Sequence, residues 1–418
     1  MLWILIGYMF LFIHRPFEIW PILGDLHVER LYALGAILAV LVYSEKRWIP
    51  NRQHLAYAIF AAVVLFCWIA SPWAEKGQLV VEDYFKILIF YILFMAVVHD
   101  EAQLRKLLLA FLAIMFIYML HSLREYACGR FTFRMSIARM IGVDKSLGDP
   151  NSFGASIVYA LPFVSPFWLC SSSRGMKAFL AAYVGLSILC IGLTGSRSAF
   201  VGLLLWGLLT VFRSKQRWSL AIGSIVLAPI LWFALPASLQ DRFETIIHPE
   251  VGPVNAIASG QDRIEGLLIG FELWGRNPVT GVGPGAWKPA TRRGVESHNL
   301  YGQIAGELGT LGLLAFLGIV VCFYLNLRTI RKAYRARPEW GHDFLYYVSG
   351  AIGLALVLLL FEGNFGHNLF RFTWLWYGGF LIIARYCIDQ RLCGATVEPR
   401  TLVNHAPAYG FGWGYQYG

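Results

Sequence analysis

The chain has 418 residues, of which 57% are apolar and 14% are charged, and its formal net charge is +10. About a quarter of the residues of a soluble domain are charged, so this composition excludes a chain of ordinary soluble domains. Nucleic-acid binding is disfavoured because it needs basic clusters on a soluble face, and these bases are spaced between long apolar stretches. The sequence therefore predicts an all-α, polytopic integral membrane helix bundle.

Twelve apolar stretches approach the length of a membrane-spanning helix, which is about 20 residues. The first has neither a basic leader nor a small-residue cleavage site, so we expect a retained helix rather than a signal peptide. In chain order, the predicted spans cover residues 2–13, 31–43, 55–73, 84–98, 104–120, 153–170, 178–193, 199–212, 220–235, 308–327, 344–361 and 370–388.

The charges of the connections predict how these spans are oriented. Twelve spans place both termini on one side, and that side then holds 18 of the 35 bases but only 7 of the 25 acids. The opposite side holds one more acid than base. Because basic residues favour the cytoplasmic side of a membrane, we expect both termini to be cytoplasmic.

Two long connections fall on the outer side, over residues 122–152 and 236–297. The second is longer and is expected to hold the main chemistry outside the cytoplasm. No internal repeat is visible, so the inverted-repeat signature of many transporters is missing. The bundle is predicted to occupy residues 1–400, and the Gly- and Tyr-rich segment 401–418 is predicted to be a disordered cytoplasmic tail.

The sequence carries none of the common motifs for a metal ion or a nucleotide. Its seven cysteines are scattered, without the Cys/His spacing of a zinc site. There is no Asp-x-Asp pair for a divalent cation and no phosphate-binding loop that ends in Lys-Ser/Thr. We therefore expect no cofactor, no metal site and no nucleotide or nucleic-acid partner.

Arg197 stands out in a short outer turn, Thr-Gly-Ser-Arg-Ser at 194–198, between the seventh and eighth predicted spans. An arginine at a helix end often serves only to anchor the helix at the membrane surface. The functional alternative is a guanidinium that binds a phosphate group, because its planar fork makes bidentate contacts that a lysine cannot make.

The second long outer loop contains a predicted helix and two candidate functional residues. The apolar residues at 264, 267, 268 and 271 recur at helical spacing, which predicts a helix over 261–274, capped at 259–260, with its apolar stripe on the membrane surface or against the bundle. Arg263 in its first turn is a second candidate phosphate contact, or else part of a solvated charge cluster. A glycine-rich run at 281–285 permits tight turns and close approach to a ligand.

His298 follows Ser297, which is a plausible N-cap for the tenth span. A histidine in the first turn of that helix would be kept neutral by the helix dipole. A neutral imidazole at the outer surface suits a general base near neutral pH. The competing interpretation is an interfacial anchor.

Three further positions are weaker candidates for substrate contact. Lys86 follows two acids at the outer end of the fourth predicted span, where it either extends to the surface or faces a polar cavity. The first long loop carries more bases than acids, so Arg139 is a candidate contact for an anionic ligand. Asn151 follows Asp149-Pro150, which is sufficiently explained as a helix start.

Four of these segments together resemble the O-antigen ligase and polymerase superfamily of bacterial membrane glycosyltransferases. The resemblance covers about residues 148–325 and is carried by the Ser-Arg turn and the His-Asn helix start on either side of a long outer loop. The segments are Leu-Gly-Asp-Pro-Asn at 147–151, Leu-Thr-Gly-Ser-Arg-Ser-Ala at 193–199, Gly-Val-Gly-Pro-Gly at 281–285, and Ser-His-Asn-Leu-Tyr at 297–301 with Gly-Glu-Leu-Gly at 306–309.

The resemblance implies a metal-independent enzyme of the bacterial inner membrane that takes a glycan from undecaprenyl diphosphate on the periplasmic face. Ligases pass the glycan to lipid A-core, polymerases pass it to another repeat unit, and some relatives pass it to protein. The functional residues of the ligases correspond to Arg197, Arg263 and His298. Arg197, Arg263 and Lys86 would bind the diphosphate, and His298 would take the proton of the acceptor hydroxyl. Asn299, next to His298, is a weaker candidate site residue.

Four alternatives remain open from the sequence. Arg276, Arg292 or Arg293 could replace Arg263 in the loop. A polymerase needs the same donor site as a ligase and differs in its acceptor. An anion or polysaccharide transporter would place its charges near the bilayer midplane on broken helices, whereas these arginines cluster at the outer surface, and a non-catalytic scaffold would leave their placement unexplained.

Overall fold

The computed structural model describes residues 1–134, 137–144, 147–214, 216–234, 236–246 and 254–397. The predicted tail, 401–418, lies outside these residues. The described chain is helical apart from one short antiparallel hairpin, in which β1 (Thr132–Arg134) pairs with β2 (Ile137–Arg139). This hairpin lies in the first long loop, where no strand was predicted.

The α-helices are α1 (Leu2–His14), α2 (Pro16–Ile19), α3 (Pro21–Asp25), α4 (Val28–Val42), α5 (Arg52–Ile69), α6 (Ala74–Val97), α7 (Glu101–Ala127), α8 (Pro150–Ala160), α9 (Val164–Cys170), α10 (Arg174–Thr194), α11 (Arg197–Arg213), α12 (Arg217–Ala234), α13 (Ala237–Glu244), α14 (Val254–Arg276), α15 (Trp287–Thr291), α16 (Leu300–Gln303), α17 (Gly309–Ala336), α18 (Phe344–Glu362) and α19 (Thr373–Val397). Short 3₁₀ turns follow α8 and α17, at Leu161–Phe163 and Pro338–Trp340. A π-helical turn, Ile304–Leu308, joins α16 to α17.

The predicted fold class is confirmed. Every predicted span overlaps a helix of the structure, and seven helical segments of the described residues are long and apolar enough to cross a membrane. The chain is therefore an all-α polytopic membrane protein. The number of twelve spans stays a prediction. Several of the remaining helices are too short or too polar to be identified as membrane-spanning by length and composition alone.

Polar residues at the helix starts explain where many of these helices begin. The side chains of Asn51, Asp100, Asp149, Ser173 and Asp343 each accept a hydrogen bond from a backbone N–H two or three residues later. Such caps satisfy N–H groups that have no partner within the helix. The helix start predicted at Asp149-Pro150 is thereby confirmed.

The bundle is held by an apolar core in which α18 and α19 are the most buried helices. Trp374, Trp376 and Tyr377 of α19 are almost completely buried, and Phe163 packs edge-on against Tyr377. Around this centre α17 packs against α5, α1 against α7, and α11 against α8. One end of the bundle is covered by α13, α14 and α15, all from the second long loop.

The predicted loop helix exists but starts earlier than predicted. α14 runs from Val254 to Arg276, so Ser259 and Gly260 lie inside it instead of capping it. Its apolar residues Ile264 and Leu268 are exposed, which fits the predicted contact with a membrane surface. The opposite face of α14 packs against the bundle.

Candidate active site

The short turn that carries Arg197 is built from small residues. α10 ends at Thr194, and Gly195 takes a left-handed conformation with φ of 55°. A side chain on Gly195 would press against Leu239 of α13, so both backbone and packing require glycine here. Ser196 caps α11 by accepting a hydrogen bond from the N–H of Ala199, which makes Arg197 the first residue of that helix.

α13 covers this turn and contacts Arg197 directly. The Arg197 guanidinium donates a hydrogen bond to the Thr245 hydroxyl at 3.1 Å. The Arg242 guanidinium donates to the carbonyl oxygen of Gly195 at 2.7 Å, and Phe243 packs against Phe200. Arg197 is therefore half-buried beneath the second long loop.

Glycines on α14 bring Arg263 close to the His298 segment. A methyl group on Gly266 would overlap the carbonyl oxygen of Ser297, and one on Gly270 would overlap the backbone of Gly302. Residues spaced by three and four lie on one face of a helix, so Arg263 shares the packed face with these glycines. Its guanidinium lies over the ring of Phe365, 5.0 Å from the centroid.

Arg263 also lies within electrostatic reach of Arg197. Burial lowers the pKa of the Arg263 guanidinium, and the charge of Arg197 lowers it further, whereas Glu362 and Asp262 act in the opposite direction. A partly buried guanidinium whose charge is disfavoured by a second guanidinium is stabilised by an anion.

The other loop arginines that could replace Arg263 are engaged elsewhere or exposed. Arg276 forms an exposed ion pair with Glu272, and Arg293 pairs with Glu265 at 2.6 Å. Arg292 is exposed at the end of α15. Of the four loop arginines considered, the structure brings Arg263 to Arg197 and His298.

The predicted cap of the helix that follows His298 is wrong by two residues. Asn299, not Ser297, is the N-cap of α16, and its side chain accepts a hydrogen bond from the N–H of Gly302 at 2.9 Å. The Ser297 hydroxyl donates to the carbonyl oxygen of Asn299 instead. His298 consequently lies before the helix rather than in its first turn, with a left-handed φ of 48°.

The environment of His298 favours a neutral imidazole, as predicted, although the cause differs. Its pKa is lowered from 6.5 mainly by burial, and the charge of Arg263 lowers it as well. The carboxylates of Asp149, Asp262 and Glu296 partly offset these effects. The ring can therefore accept a proton at neutral pH.

A polar cavity opens beside His298, at the end of the bundle covered by the second long loop. Its walls come from α8, the start of α11 and the connection between α18 and α19. The lining residues are Asp149, Asn151, Ser152, Ala155, Ser156, Tyr159, Ser198, His298, Glu362, Phe365, Gly366, His367, Asn368, Arg371, Phe372 and Thr373. The predicted residues Asn151 and His298 line it directly. Arg197 precedes the lining residue Ser198 in the chain, and the Arg263 guanidinium lies over the ring of the lining residue Phe365.

Two lining residues, His367 and Arg371, are absent from the set predicted by the sequence. The His367 ring lies 5.7 Å from that of His298, between centroids. Its Nδ1 is buried and makes no hydrogen bond in the described part of the chain. Burial, together with Arg371 and His298, lowers the pKa of His367 to about 4. The sequence signal for this segment is a short polar run at 362–371 between two apolar stretches.

Arg139 contacts the cavity wall without lining the cavity itself. It is buried, and its guanidinium donates to the carbonyl oxygen of Thr194 at 2.8 Å and to the Asn151 side chain at 3.0 Å. Arg139 thus links the end of α10 to the start of α8. The structure gives it a positioning contact with Asn151.

Lys86 is not brought to this cavity. It lies on α6, where its partly exposed ammonium pairs with Asp83 at 3.1 Å. It does not line the cavity described above.

The glycine-rich run at 281–285 packs closely against the rest of the protein. Gly281, Gly283 and Gly285 all have positive φ. Side chains on Gly281 and Gly283 would overlap Glu307 and Ser71, respectively. These glycines therefore pack the loop onto the bundle, where it also contacts the π turn.

Comparison with known proteins confirms the resemblance over the central third of the chain. Residues 182–317 match the family model described as O-antigen ligase. This stretch contains the predicted site residues Arg197, Arg263, His298 and Asn299, but not Lys86, Arg139, Asn151 or the segment with His367.

A curated relative matches a part of the chain of similar length. Over 152 residues the chain is 30% identical to the probable peptidoglycan glycosyltransferase FtsW of Nitrosococcus halophilus (strain Nc4). The matched segment is 36% of this chain and 36% of that protein, so the chain spans about a third of the relative's length.

Proposed function

We propose that this chain is a membrane glycosyltransferase that transfers a glycan from undecaprenyl diphosphate to a lipid A-core type acceptor. One observation carries the proposal: Arg263 lies within electrostatic reach of both Arg197 and His298, and His298 lines a polar cavity at an end of an apolar bundle. The family match over residues 182–317 supports it.

The two arginines suit a diphosphate leaving group. When the bond from the anomeric carbon to the diphosphate oxygen breaks, negative charge accumulates on that oxygen. Preorganised cations stabilise this charge more in the transition state than in the ground state. Arg371, which lines the cavity, adds a third cation. These residues supply the positive charge without a metal ion.

His298 suits the role of general base. It would take the proton of the acceptor hydroxyl while the hydroxyl oxygen bonds to the anomeric carbon and the diphosphate departs. A direct displacement of this kind inverts the anomeric configuration. His367 and Asn151 line the same cavity and would contact the sugar or the acceptor.

The apolar bundle and the distribution of charge support a location in the bacterial inner membrane. The polyprenyl chain would lie among the apolar helices, with the diphosphate at the periplasmic surface under the second long loop. Both termini would then be cytoplasmic, in line with the positive-inside rule.

The second candidate function is that of a polymerase, in which the acceptor is another glycan repeat unit instead of lipid A-core. The observation that favours it is the name of the matched relative, a probable peptidoglycan glycosyltransferase. Both functions use the same donor site, and the proposed residues have the same roles in each.

The decisive experiment uses purified full-length protein in detergent or nanodiscs. It is incubated with a labelled polyprenyl-diphosphate glycan, with and without lipid A-core. Label on lipid A-core supports the ligase, and label on longer polyprenyl-linked chains supports the polymerase. A donor that stays unchanged both with and without lipid A-core would contradict both.

A further inference from the structure

One face of α17 is exposed from Leu314 to Arg335. Its exposed residues are apolar at first and basic near the end of the helix. Leu314, Leu317, Val321 and Tyr324 are 44–62% exposed, and their spacing of three and four residues places them on a single stripe. In a membrane-spanning helix, such a stripe lies against acyl chains.

The same stripe continues into four basic residues. Arg328, Arg331, Lys332 and Arg335 are all exposed and follow the apolar residues at the same helical spacing. With Tyr324 and Leu327 they border an open volume of about 380 Å³ on this face of α17, which is called the groove below. Arg213, from the end of α11, is close enough for its charge and that of Arg331 to repel.

The cations of this groove lack counter-charges. Among the residues that the structure describes, none of the four makes an ion pair or a side-chain hydrogen bond, and no acid lines the groove. The nearest acids along the chain are already engaged, since Glu339 pairs with Arg337 and Asp343 pairs with Arg391. Mutually repelling cations favour an anionic ligand.

The groove also lies far from the candidate active site. α17 begins at Gly309, next to the π turn, and Arg331 follows 22 residues later. At a rise of 1.5 Å per residue this separation is about 33 Å, which matches the roughly 30 Å thickness of the hydrocarbon core of a bilayer. The groove and the cavity therefore face opposite membrane surfaces.

We infer that this groove binds the headgroup of an anionic phospholipid whose acyl chains lie along the apolar stripe of α17. The four bases hold the phosphate, and Tyr324 lies at the boundary between headgroup and chains, where aromatic residues are favoured. With the predicted orientation, the lipid belongs to the cytoplasmic leaflet. A free phosphate would match the bases but would leave the adjoining apolar stripe unused.

The test compares phosphatidylglycerol with phosphatidylcholine of the same acyl chains, bound to the full-length protein and measured by native mass spectrometry. The wild-type protein should bind phosphatidylglycerol roughly tenfold more tightly, because each base near an anionic headgroup adds favourable energy. The triple variant R328Q/R331Q/K332Q should lose this preference.

A matched control removes three exposed bases from the same predicted side of the membrane, in the variant R174Q/K177Q/R217Q. It should keep the preference. The inference fails if the wild-type protein prefers neither lipid, if the control loses the preference equally, or if inorganic phosphate displaces the bound phosphatidylglycerol. If the triple variant does not fold, the single variants R328Q, R331Q and K332Q take its place, and each should weaken the preference while the control does not.

Discussion

The imidazole rings of His298 and His367 lie 5.7 Å apart at an angle of 51°, although one precedes α16 and the other lies between α18 and α19. The two segments are joined directly. The N–H of Leu300 donates to the carbonyl oxygen of Gly363 at 2.6 Å, and the Tyr301 hydroxyl donates to that of Leu360. The ends of α16 and α18 therefore hold the two rings as one unit beside the cavity.

Replacing His298 by asparagine should abolish transfer. Loss of a general base reduces rates by roughly 100-fold or more, and asparagine tolerates the left-handed backbone of this position better than alanine. Initial rates of glycan transfer would be measured for His298→Asn and His298→Ala, together with the amount of protein in the membrane. Normal transfer by either variant would refute the assignment of His298 as the general base.

The pH dependence of transfer should report the lowered pKa of His298. The base works only when neutral, so the rate should be constant near neutral pH and should fall as the pH drops through a value below 6.5. Asp149 raises this pKa, so Asp149→Asn should move the acid limb of kcat/KM to lower pH. Asparagine still caps α8.

The control for this prediction is Asp83→Asn, which removes an exposed carboxylate on α6. Its acid limb should coincide with that of the wild-type protein. A shift of the Asp149→Asn limb to higher pH would contradict the assignment.

Arg197→Lys should reduce transfer on the order of 100-fold, although the charge is kept. The lysine ammonium cannot make the bidentate contacts of a guanidinium with a phosphate. Arg276→Lys serves as the control, because Arg276 is exposed on the same outer loop and pairs with Glu272. Equal rates for the two variants would indicate that Arg197 only anchors its helix at the membrane surface.

Gly266→Ala should lower both activity and thermal stability. The added methyl group overlaps the carbonyl oxygen of Ser297, so α14 must move away from the His298 segment and take Arg263 with it. Gly275→Ala, in the same helix, meets nothing within 4 Å and should stabilise the helix by about 0.5–1 kcal/mol.

Melting temperatures and transfer rates of these two variants form the measurement. Gly275→Ala should transfer at the wild-type rate. Wild-type activity in Gly266→Ala would show that the packing of α14 does not position the site.

Transfer should persist in EDTA, because Arg197, Arg263 and Arg371 supply the positive charge for the diphosphate. The rate would be measured after removal of divalent ions and again after addition of Mg²⁺ or Mn²⁺. Loss of transfer in EDTA with recovery in metal would overturn the proposed mechanism.

The sequence predicts the features of this fold that depend on local chemistry. The apolar stretches identify the helices, Asp149-Pro150 identifies the start of α8, and Gly195-Ser196 identifies the turn before Arg197. Each of these follows from the preferences of neighbouring residues. The convergence of Arg197, Arg263 and His298 could be expected from the resemblance alone.

Features that depend on tertiary packing escape sequence reasoning. His367 and Arg371 reach the cavity because α16 and α18 meet, a contact that no periodicity in either segment signals. Lys86 pairs with Asp83 of the same helix and does not line the cavity. Ser297 and Asn299 are comparably good caps, so only the three-dimensional contacts decide where α16 begins.

The π turn at Ile304–Leu308 separates two geometric requirements that an unbroken helix would combine. Successive residues of an α-helix are rotated by about 100°, so one unbroken helix would fix the direction of α16 by the direction in which α17 crosses the bilayer. The wider turn inserts an additional residue between them. Gly309 adds a left-handed φ of 61° at the same junction, so α17 and the short α16 that follows His298 need not share one continuous helix axis.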